Sequence, residues 1–393
     1  MKIALMGFGT VGTGVEEILY KKRAKLRKNN FDLDLAYALI KNKDKKRSPF
    51  KKDLVFTDDF EKILSSDVDT VIDVTSSLEE TYERIIKLMK AGKNIVTANK
   101  AVVSKYFENL NDLARENGVY FTYEAAVAGA IPLIHPLMEE ALFNEMTKVY
   151  GILNGTSNYI LSKMEEEGAS YEKVLKKAQD LGFAEADPTA DVGGFDAMRK
   201  LRILSSLIYN SKINEDAIPT FGIGNIKKTD LDFAKTMGYT IRLLAKSELR
   251  DGKINISVIP TFLKDNFFAK TYEATNAIKV WGENFYAYEL KGPGAGKLET
   301  ADAVIRDLLR ILSKREILAF YDGANSYKLE ATRSNKFYLR TSEVPKALKD
   351  LIEDEKVIGD DHQIITKKTD FETLRPILLA LSDVFVAEIE EEL

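Results

Sequence analysis

The chain opens on a short apolar run, Lys2 to Met6, followed at once by Gly7-Phe8-Gly9-Thr10-Val11-Gly12 and a helix-like stretch from Thr10 to about Arg27. Glycines in this pattern between a strand and a helix meet three demands: a tight turn, a backbone that a pyrophosphate can approach, and close packing of helix on strand. The phosphates then lie at the positive end of the helix. Gly7, Gly9, Thr10, Val11 and Gly12 are therefore candidate cofactor-binding residues. A purely structural glycine turn is the alternative, but strand, loop and helix all fall in register. The glycines also break the apolar run too early for a secretory leader, and no small-residue cleavage site follows.

Up to about residue 132 strand-like and helix-like segments alternate. Leu33 to Ile40 and Thr70 to Thr75 read as strands, Leu78 to Ala91 as a helix stopped by Gly92, and Asn94 to Ala98 as a further strand. The alternation predicts an α/β domain built on a Rossmann-type, doubly wound parallel sheet. Ligands of such sheets bind beyond the carboxyl ends of the strands, which places Thr75, Ser76, Asn99 and Lys100 at a cofactor cleft. The second strand ends at Lys41-Asn42-Lys43, while its acids, Asp32 and Asp34, lie at its start. An acid at the carboxyl end would take a ribose 2′-hydroxyl, whereas cations suit a 2′-phosphate, so NADP is expected, with NAD as the alternative. Simple solvation of the loop is the competing account of Lys41 and Lys43.

Beyond Pro132 the pattern changes to helices (Glu172 to Leu181, Phe195 to Tyr209) mixed with longer strands (Ile254 to Pro260, Ala277 to Trp281, Phe285 to Leu290), as in an α+β domain. On a helix from Phe195, turning about 100° per residue, Ala197, Leu201, Ile203, Leu204, Leu207 and Ile208 form one apolar stripe. Asp196 and Lys200 fall inside it, whereas Arg199 and Arg202 project to the opposite, polar side. An ion facing a core must be paired or used. Just upstream, Glu185, Asp187 and Asp191 crowd a loop rich in glycine and proline, a setting for an amine or a metal. An acidic first turn complementing the helix dipole is the plainer account.

Composition removes several chemistries. With no cysteine there is no disulfide framework, thiolate metal site or thiol nucleophile, and the chain suits a reducing cytoplasm. The two histidines, His135 and His362, are far apart, which speaks against a His-based metal cluster or a Ser-His-Asp triad. Acid and base work then falls to Lys, Asp, Glu or Tyr. A formal charge of −4 over 393 residues offers no footprint for nucleic acid. No apolar stretch nears the roughly 18 residues of a membrane span. The expected partner is a small molecule.

The stretch Ala178 to Lys200, AQDLGFAEADPTADVGGFDAMRK, resembles the signature of the homoserine dehydrogenase family in residue types and spacing. GFGTVG, DVTSS, TANK, YEAAVAGAIP, NGTSNYI and GPGAG extend the resemblance over roughly residues 1 to 315. It implies reversible, NAD(P)H-dependent reduction of L-aspartate 4-semialdehyde to L-homoserine, in the biosynthesis of threonine and methionine. By the same resemblance Lys100 and Lys200 are the catalytic lysines and Asp196 orients Lys200. Glu185 and Asp191 would hold the amino acid substrate, Gly155 and Thr156 would line its site, and Gly296 would close over the nicotinamide. A monovalent cation such as sodium is implied near Glu124, on carbonyls matching Val127, Gly129 and Ile131, together with a homodimer or a dimer of dimers. A lysine ammonium can protonate the developing alkoxide. Aspartate semialdehyde dehydrogenase would need a cysteine for its covalent step, and a non-catalytic dinucleotide sensor would be expected to lack Lys200 or GPGAG.

The expected division is a dinucleotide-binding domain over 1–132 and 293–320, an α+β substrate-binding and dimerisation domain over 133–292, and a small tail over 333–393. The tail reads as strand (FYLRT), helix (VPKALKDLIEDE), two strands (KVIG and QIITKK), helix (DFETLRPILLAL) and strand (VFVAEIEE). That βαββαβ order resembles a regulatory ACT domain. Pro345-Lys346 stands where such domains usually carry Pro-Gly at the ligand site, so a structural or dimerising role is favoured over threonine binding. A chain ended near Thr332 is expected to stay soluble and to turn over.

Overall fold

The computed structural model describes residues 1–42, 44–313, 321–330 and 334–390. The chain divides into two compact units, Met1–Phe143 with Ser206–Lys212 and Pro293–Ser326, and Asn144–Ser205 with Ile213–Gly292 and Tyr327–Leu393.

The first unit starts with β1 (Lys2–Met6), α1 (Thr10–Lys28), β2 (Asp34–Leu39), β3 (Val55–Thr57), α2 (Phe60–Leu64) and β4 (Thr70–Asp73). It continues through α3 (Glu79–Lys90), β5 (Asn94–Thr97), α4 (Lys100–Lys105), α5 (Phe107–Asn117), β6 (Phe121–Thr122) and α6 (Ile134–Glu140). Its six strands are parallel in the order β3-β2-β1-β4-β5-β6. Ile3, Ala4 and Leu5 are fully buried, which suits β1 to the centre, where both faces of the sheet are covered. The strand order reverses between β1 and β4, and that is where such a sheet opens a crevice beyond its carboxyl ends. β4 stops at Asp73, two residues short of the expected end, because the Thr75 amide turns back onto the Asp73 carboxylate (3.0 Å).

The second unit carries β7 (Met146–Ile152), α7 (Gly155–Glu167), α8 (Tyr171–Asp180), α9 (Thr189–Val192), α10 (Phe195–Tyr209, of which the residues from Ser206 on count with the first unit) and α11 (Lys228–Thr236). Four strands follow: β8 (Thr240–Arg250), β9 (Lys253–Leu263), β10 (Thr275–Gly282) and β11 (Phe285–Pro293). The chain then returns to the first unit for α12 (Lys297–Leu312), whose Ala301, Val304 and Leu308 share a core with Val15 and Leu19 of α1. The tail adds β12 (Lys328–Glu330), β13 (Lys336–Thr341), α13 (Lys346–Lys349), β14 (Ile352–Ile358), β15 (Asp361–Thr366), α14 (Phe371–Leu379) and β16 (Val384–Ile389).

From β13 onward the βαββαβ order is present, with strands arranged β16-β13-β15-β14. The tail is not a sheet of its own, however. β16 pairs in parallel with β9, Glu388 opposite Thr261 and Ile389 opposite Phe262, to make one ten-stranded sheet, β11-β10-β7-β8-β9-β16-β13-β15-β14, with β12 also beside β9. Residues 334–390 therefore belong to the second unit rather than standing alone, because they satisfy an edge that β9 would otherwise expose. The boundary expected at residue 320 lies outside the described residues. The helix expected over 344–355 is limited to Lys346–Lys349, and Ile352–Ile358 pairs with β15 instead. Ladder formation overrides the helix propensity of Glu353 and Glu355. Among the described residues no helix is long and apolar enough to cross a membrane.

Candidate active site

β1 delivers the chain into Gly7, whose φ of +99° a side chain rarely tolerates and whose amide donates to the Leu39 carbonyl (3.0 Å). At Gly12 a Cβ would lie 2.4 Å from the Gly7 carbonyl oxygen, so helix and turn meet there without a side chain between them. Gly9 differs. It precedes α1 with no side-chain cap, and a Cβ on it would meet nothing within 4 Å. The amides of Thr10, Val11 and Gly12 come before the first intrahelical bond, Thr13 N–H to the Gly9 carbonyl (3.0 Å), and no acid occupies that first turn. Open backbone at a positive helix end is a cradle for an anion, and a dinucleotide pyrophosphate fits it.

Half-buried Thr75 and exposed Ser76 follow β4, and half-buried Lys100 opens α4 behind Asn99, whose side-chain oxygen accepts from the Val102 amide (3.2 Å). Lys41 follows β2, largely exposed, with Nζ 3.2 Å from Glu80 Oε2. That lysine holds the Glu80 carboxyl below its ordinary range. Asp34, at the other end of β2, is taken up by Lys51 (2.7 Å). Lys43 lies outside the described residues. Gly296 precedes the first turn of α12.

Glu124 is 1% exposed, and its carboxylate accepts from the amides of Leu133 (2.6 Å), Ile134 (3.2 Å) and His135 (3.0 Å) at the start of α6. His135 Nε2 lies 2.6 Å from Asp307 Oδ1, and Asp307 Oδ2 accepts from the Glu124 amide (3.1 Å). Both Glu124 oxygens are thus committed to backbone N–H groups. In the loop before α6, Ala128 and Gly129 adopt φ of +58° and +53°. The carbonyls of buried Val127, Gly129 and Ile131 accept no hydrogen bond from the described residues. Unused buried carbonyls are a donor set for a hard cation. Among the described residues no group of three or more His, Asp or Glu side chains could hold a metal ion.

In the second unit Lys200, on α10, is 8% exposed, with Nζ 2.7 Å from Asp196 Oδ2 and donating to the Leu153 carbonyl at 2.7 Å. The core-facing pair expected from the stripe is therefore buried and joined. Asn154 Nδ2 donates to the same Asp196 oxygen (2.9 Å) and to Asp191 Oδ1 (2.8 Å), while Asn154 Oδ1 accepts from the Ser157 amide (2.7 Å) and caps α7. Asn276 Nδ2, from β10, donates to the Leu153 carbonyl (3.2 Å). Gly155 begins α7, and Thr156 Oγ1 donates to the Phe183 carbonyl (2.6 Å). Glu185 and Asp187 are exposed on the loop before α9. Gln179 holds the Glu185 carbonyl (3.1 Å), and the hydroxyl and amide of Thr189 keep the Asp187 carboxyl below its ordinary range. Asp191 joins Asp196 through Asn154, whereas the contacts of Glu185 are made by its backbone.

Arg202 departs from the expected polar side. It is 3% exposed and donates to the Ile213 carbonyl (2.9 Å), because α10 is enclosed nearly all round. Sequence reasoning passed over Asn154 and Asn276. An Asn ahead of a helical run is a capping signal and could have marked the first; Asn276, inside a strand, carries no local signal.

Residues 7–124 match the family model described as the NAD binding domain of homoserine dehydrogenase, and residues 132–309 match the model described as homoserine dehydrogenase. A homoserine dehydrogenase of Bacillus subtilis is 38% identical over 320 residues, 81% of this chain and 74% of its own length. The crystal structure of a homoserine dehydrogenase from Thiobacillus denitrificans superposes with a TM-score of 0.88 at 30% identity, over 100% of this chain and 98% of the other. A hyperthermophilic archaeal homoserine dehydrogenase solved in complex with NADPH has a TM-score of 0.65 at 26% identity and covers 80% of this chain and 98% of its own.

Proposed function

The chain belongs to the homoserine dehydrogenase family, and from that premise we propose how its residues divide the work. It is an NAD(P)-dependent oxidoreductase that interconverts L-aspartate 4-semialdehyde and L-homoserine. The observation that carries the assignment of roles is the buried ammonium of Lys200, held by one carboxylate and one carbonyl. Lys200 gives its proton to the oxygen that becomes the homoserine hydroxyl and takes it back in the reverse direction. Asp196 keeps it aimed, and Lys100 is the second catalytic lysine. The bound nicotinamide supplies the hydride in one direction and accepts it in the other.

Asp191 and Glu185 take the substrate ammonium, and the amides of Gly155 and Thr156, at the start of α7, take its carboxylate. Gly7, Gly9, Thr10, Val11 and Gly12 would hold the pyrophosphate, with Thr75 and Ser76 beside it, and Gly296 would close over the nicotinamide. NADP is preferred over NAD; Lys41 beyond β2 supports this, as does the NADPH held by the archaeal relative. The carbonyls of Val127, Gly129 and Ile131 would hold a monovalent cation such as sodium, with Glu124 ordering their loop from α6. The protein works in the cytoplasm as a homodimer or dimer of dimers, a reading supported by the exposed edge strand β11 with Tyr286 and Tyr288 at its surface. The test is NADPH oxidation with aspartate semialdehyde, followed by absorbance in parent and Lys200→Ala. No turnover by the parent, or full turnover by the variant, overturns the assignment.

A further inference from the structure

A carboxylate lies where the first sheet can least afford one. Asp73, the last residue of β4, is fully buried, and among the described residues no cation pairs with it. Burial pushes its carboxyl up, opposed by hydrogen bonds from Thr75 and Thr97. Oδ1 accepts from the Thr75 amide (3.0 Å) and hydroxyl (2.6 Å), and Oδ2 accepts from the Thr97 hydroxyl (2.7 Å) at the end of β5. Burying such a group is costly unless its hydrogen bonds are complete.

These contacts are part of a closed ring. The Thr75 hydroxyl meets that of Thr81 on α3 (2.7 Å), which meets the Ser77 hydroxyl (3.0 Å). The Ser77 carbonyl accepts from Asn99 Nδ2 (2.9 Å), and the Asn99 amide donates to Thr97 Oγ1 (3.0 Å), which returns to Asp73. Asn99 in turn caps α4, the helix that Lys100 begins. The ring therefore ties the loop after β4 to the loop after β5, and a single carboxylate closes it.

We propose that Asp73 is a positioning residue that fixes the Thr75-Ser76 loop and the first turn of α4, and so places Lys100 for the bound dinucleotide. The inference rests on the reading of Lys100 and Thr75 as cofactor-site residues. Shared donors and acceptors in a dry site stiffen one another, so breaking one link loosens both loops. Thr97→Val removes the link to Asp73 and the acceptor of the Asn99 amide. Thr97→Ser keeps both. Asp73→Asn leaves the Thr97 hydroxyl proton without its acceptor.

The experiment is NADPH titration by fluorescence, with the number of sites counted, alongside hydrogen exchange of the Thr75, Asn99 and Val102 amides in the ligand-free protein. Thr97→Val and Asp73→Asn are expected to weaken NADPH binding at least about 5-fold at unchanged stoichiometry, a loss in keeping with at least one broken buried hydrogen bond. The three amides should exchange faster, and Thr97→Ser should stay within about 2-fold of the parent. A purely structural role would instead reduce the number of sites at unchanged Kd. Unchanged Kd in Thr97→Val overturns the proposal, whether or not Asp73→Asn folds. Lys100→Ala separates the two claims: if it leaves NADPH binding and turnover intact, the cofactor-site reading fails; if it is impaired while Thr97→Val is not, the positioning role fails.

Discussion

Lys200 shares each of its acceptors with a buried asparagine amide, Asp196 Oδ2 with Asn154 and the Leu153 carbonyl with Asn276. The sharing orients the acceptors and, through them, the ammonium. Lys200→Ala is expected to lower kcat at least about 100-fold with NADPH Kd within a few fold, since general acid catalysis typically contributes 10² to 10⁴. Stopped-flow and equilibrium titration separate the two numbers, and a variant with most of its turnover would remove Lys200 from the chemistry. At Lys41 the issue is selectivity. Its ammonium already lies near Glu80, so Lys41→Glu puts two acids beside the place expected for a 2′-phosphate. The ratio of kcat/KM for NADPH over NADH should then fall toward or below unity, because only NADP carries that phosphate charge. An unchanged ratio would mean that Lys41 serves only Glu80 and solvent.

Helix α6 depends on a residue outside it. Glu124 receives three of its leading amides, so Glu124→Ala would leave these N–H groups buried without an acceptor. A loss of about 3 kcal/mol in unfolding free energy is expected, with a smaller loss for Glu124→Gln, which keeps one oxygen. Urea titration at constant m-value reads it, and a midpoint equal to the parent's would show that water replaces the carboxylate. Helix α10 was legible beforehand in its limits and in its buried Asp196–Lys200 pair, since residues four apart share a face. Arg202 was not. A helical projection orders residues around an axis but does not say how much of the circumference neighbours will cover. The short α13 misled for a related reason: glutamates with good helix propensity, Glu353 and Glu355, were taken into a strand beside β15.

At the scale of the whole molecule, the tail supplies the partners of buried charges in the second unit. Lys246 of β8 is buried, with Glu388 at 2.5 Å and Glu390 at 3.3 Å, and Asp230 of α11 is buried against Arg340 (3.1 Å) and the Tyr338 hydroxyl (2.7 Å). Burial alone would depress Lys246, yet the two glutamates outweigh it and hold the ammonium above its ordinary value. At Asp230 burial prevails and pushes the carboxyl up against Arg340. Ending the chain near Thr332 would strand both charges and open the edge of β9 that β16 covers. An orphaned buried charge costs about 3 to 5 kcal/mol, a large share of the roughly 5 to 15 kcal/mol that keeps a domain folded. The truncated chain is therefore expected to aggregate or to melt more than about 10 °C below the parent, contrary to the solubility expected from sequence. Scanning calorimetry with a solubility assay checks this; a soluble chain with the parent's melting temperature would restore the tail as a detachable part. In the intact protein Lys346 begins α13, and inhibition by threonine is expected to be weak or absent in the NADPH assay.

The sequence by itself determined what is local. Strand and helix periods, the glycines of the first turn, the alternation that builds a parallel sheet and the spacing of Asp196 and Lys200 all act within a few residues, where backbone sterics and side-chain direction settle the outcome. Tertiary structure decided the rest. Asn276 reaches the Leu153 carbonyl across 123 positions. The partners of Lys246 lie on the last strand, and Asp73 acquires its ring only when β4, β5 and α3 are side by side. Such contacts depend on which strand edges and buried charges find each other, and no repeat along the chain encodes that choice, because it is made by the free energy of the assembled sheet.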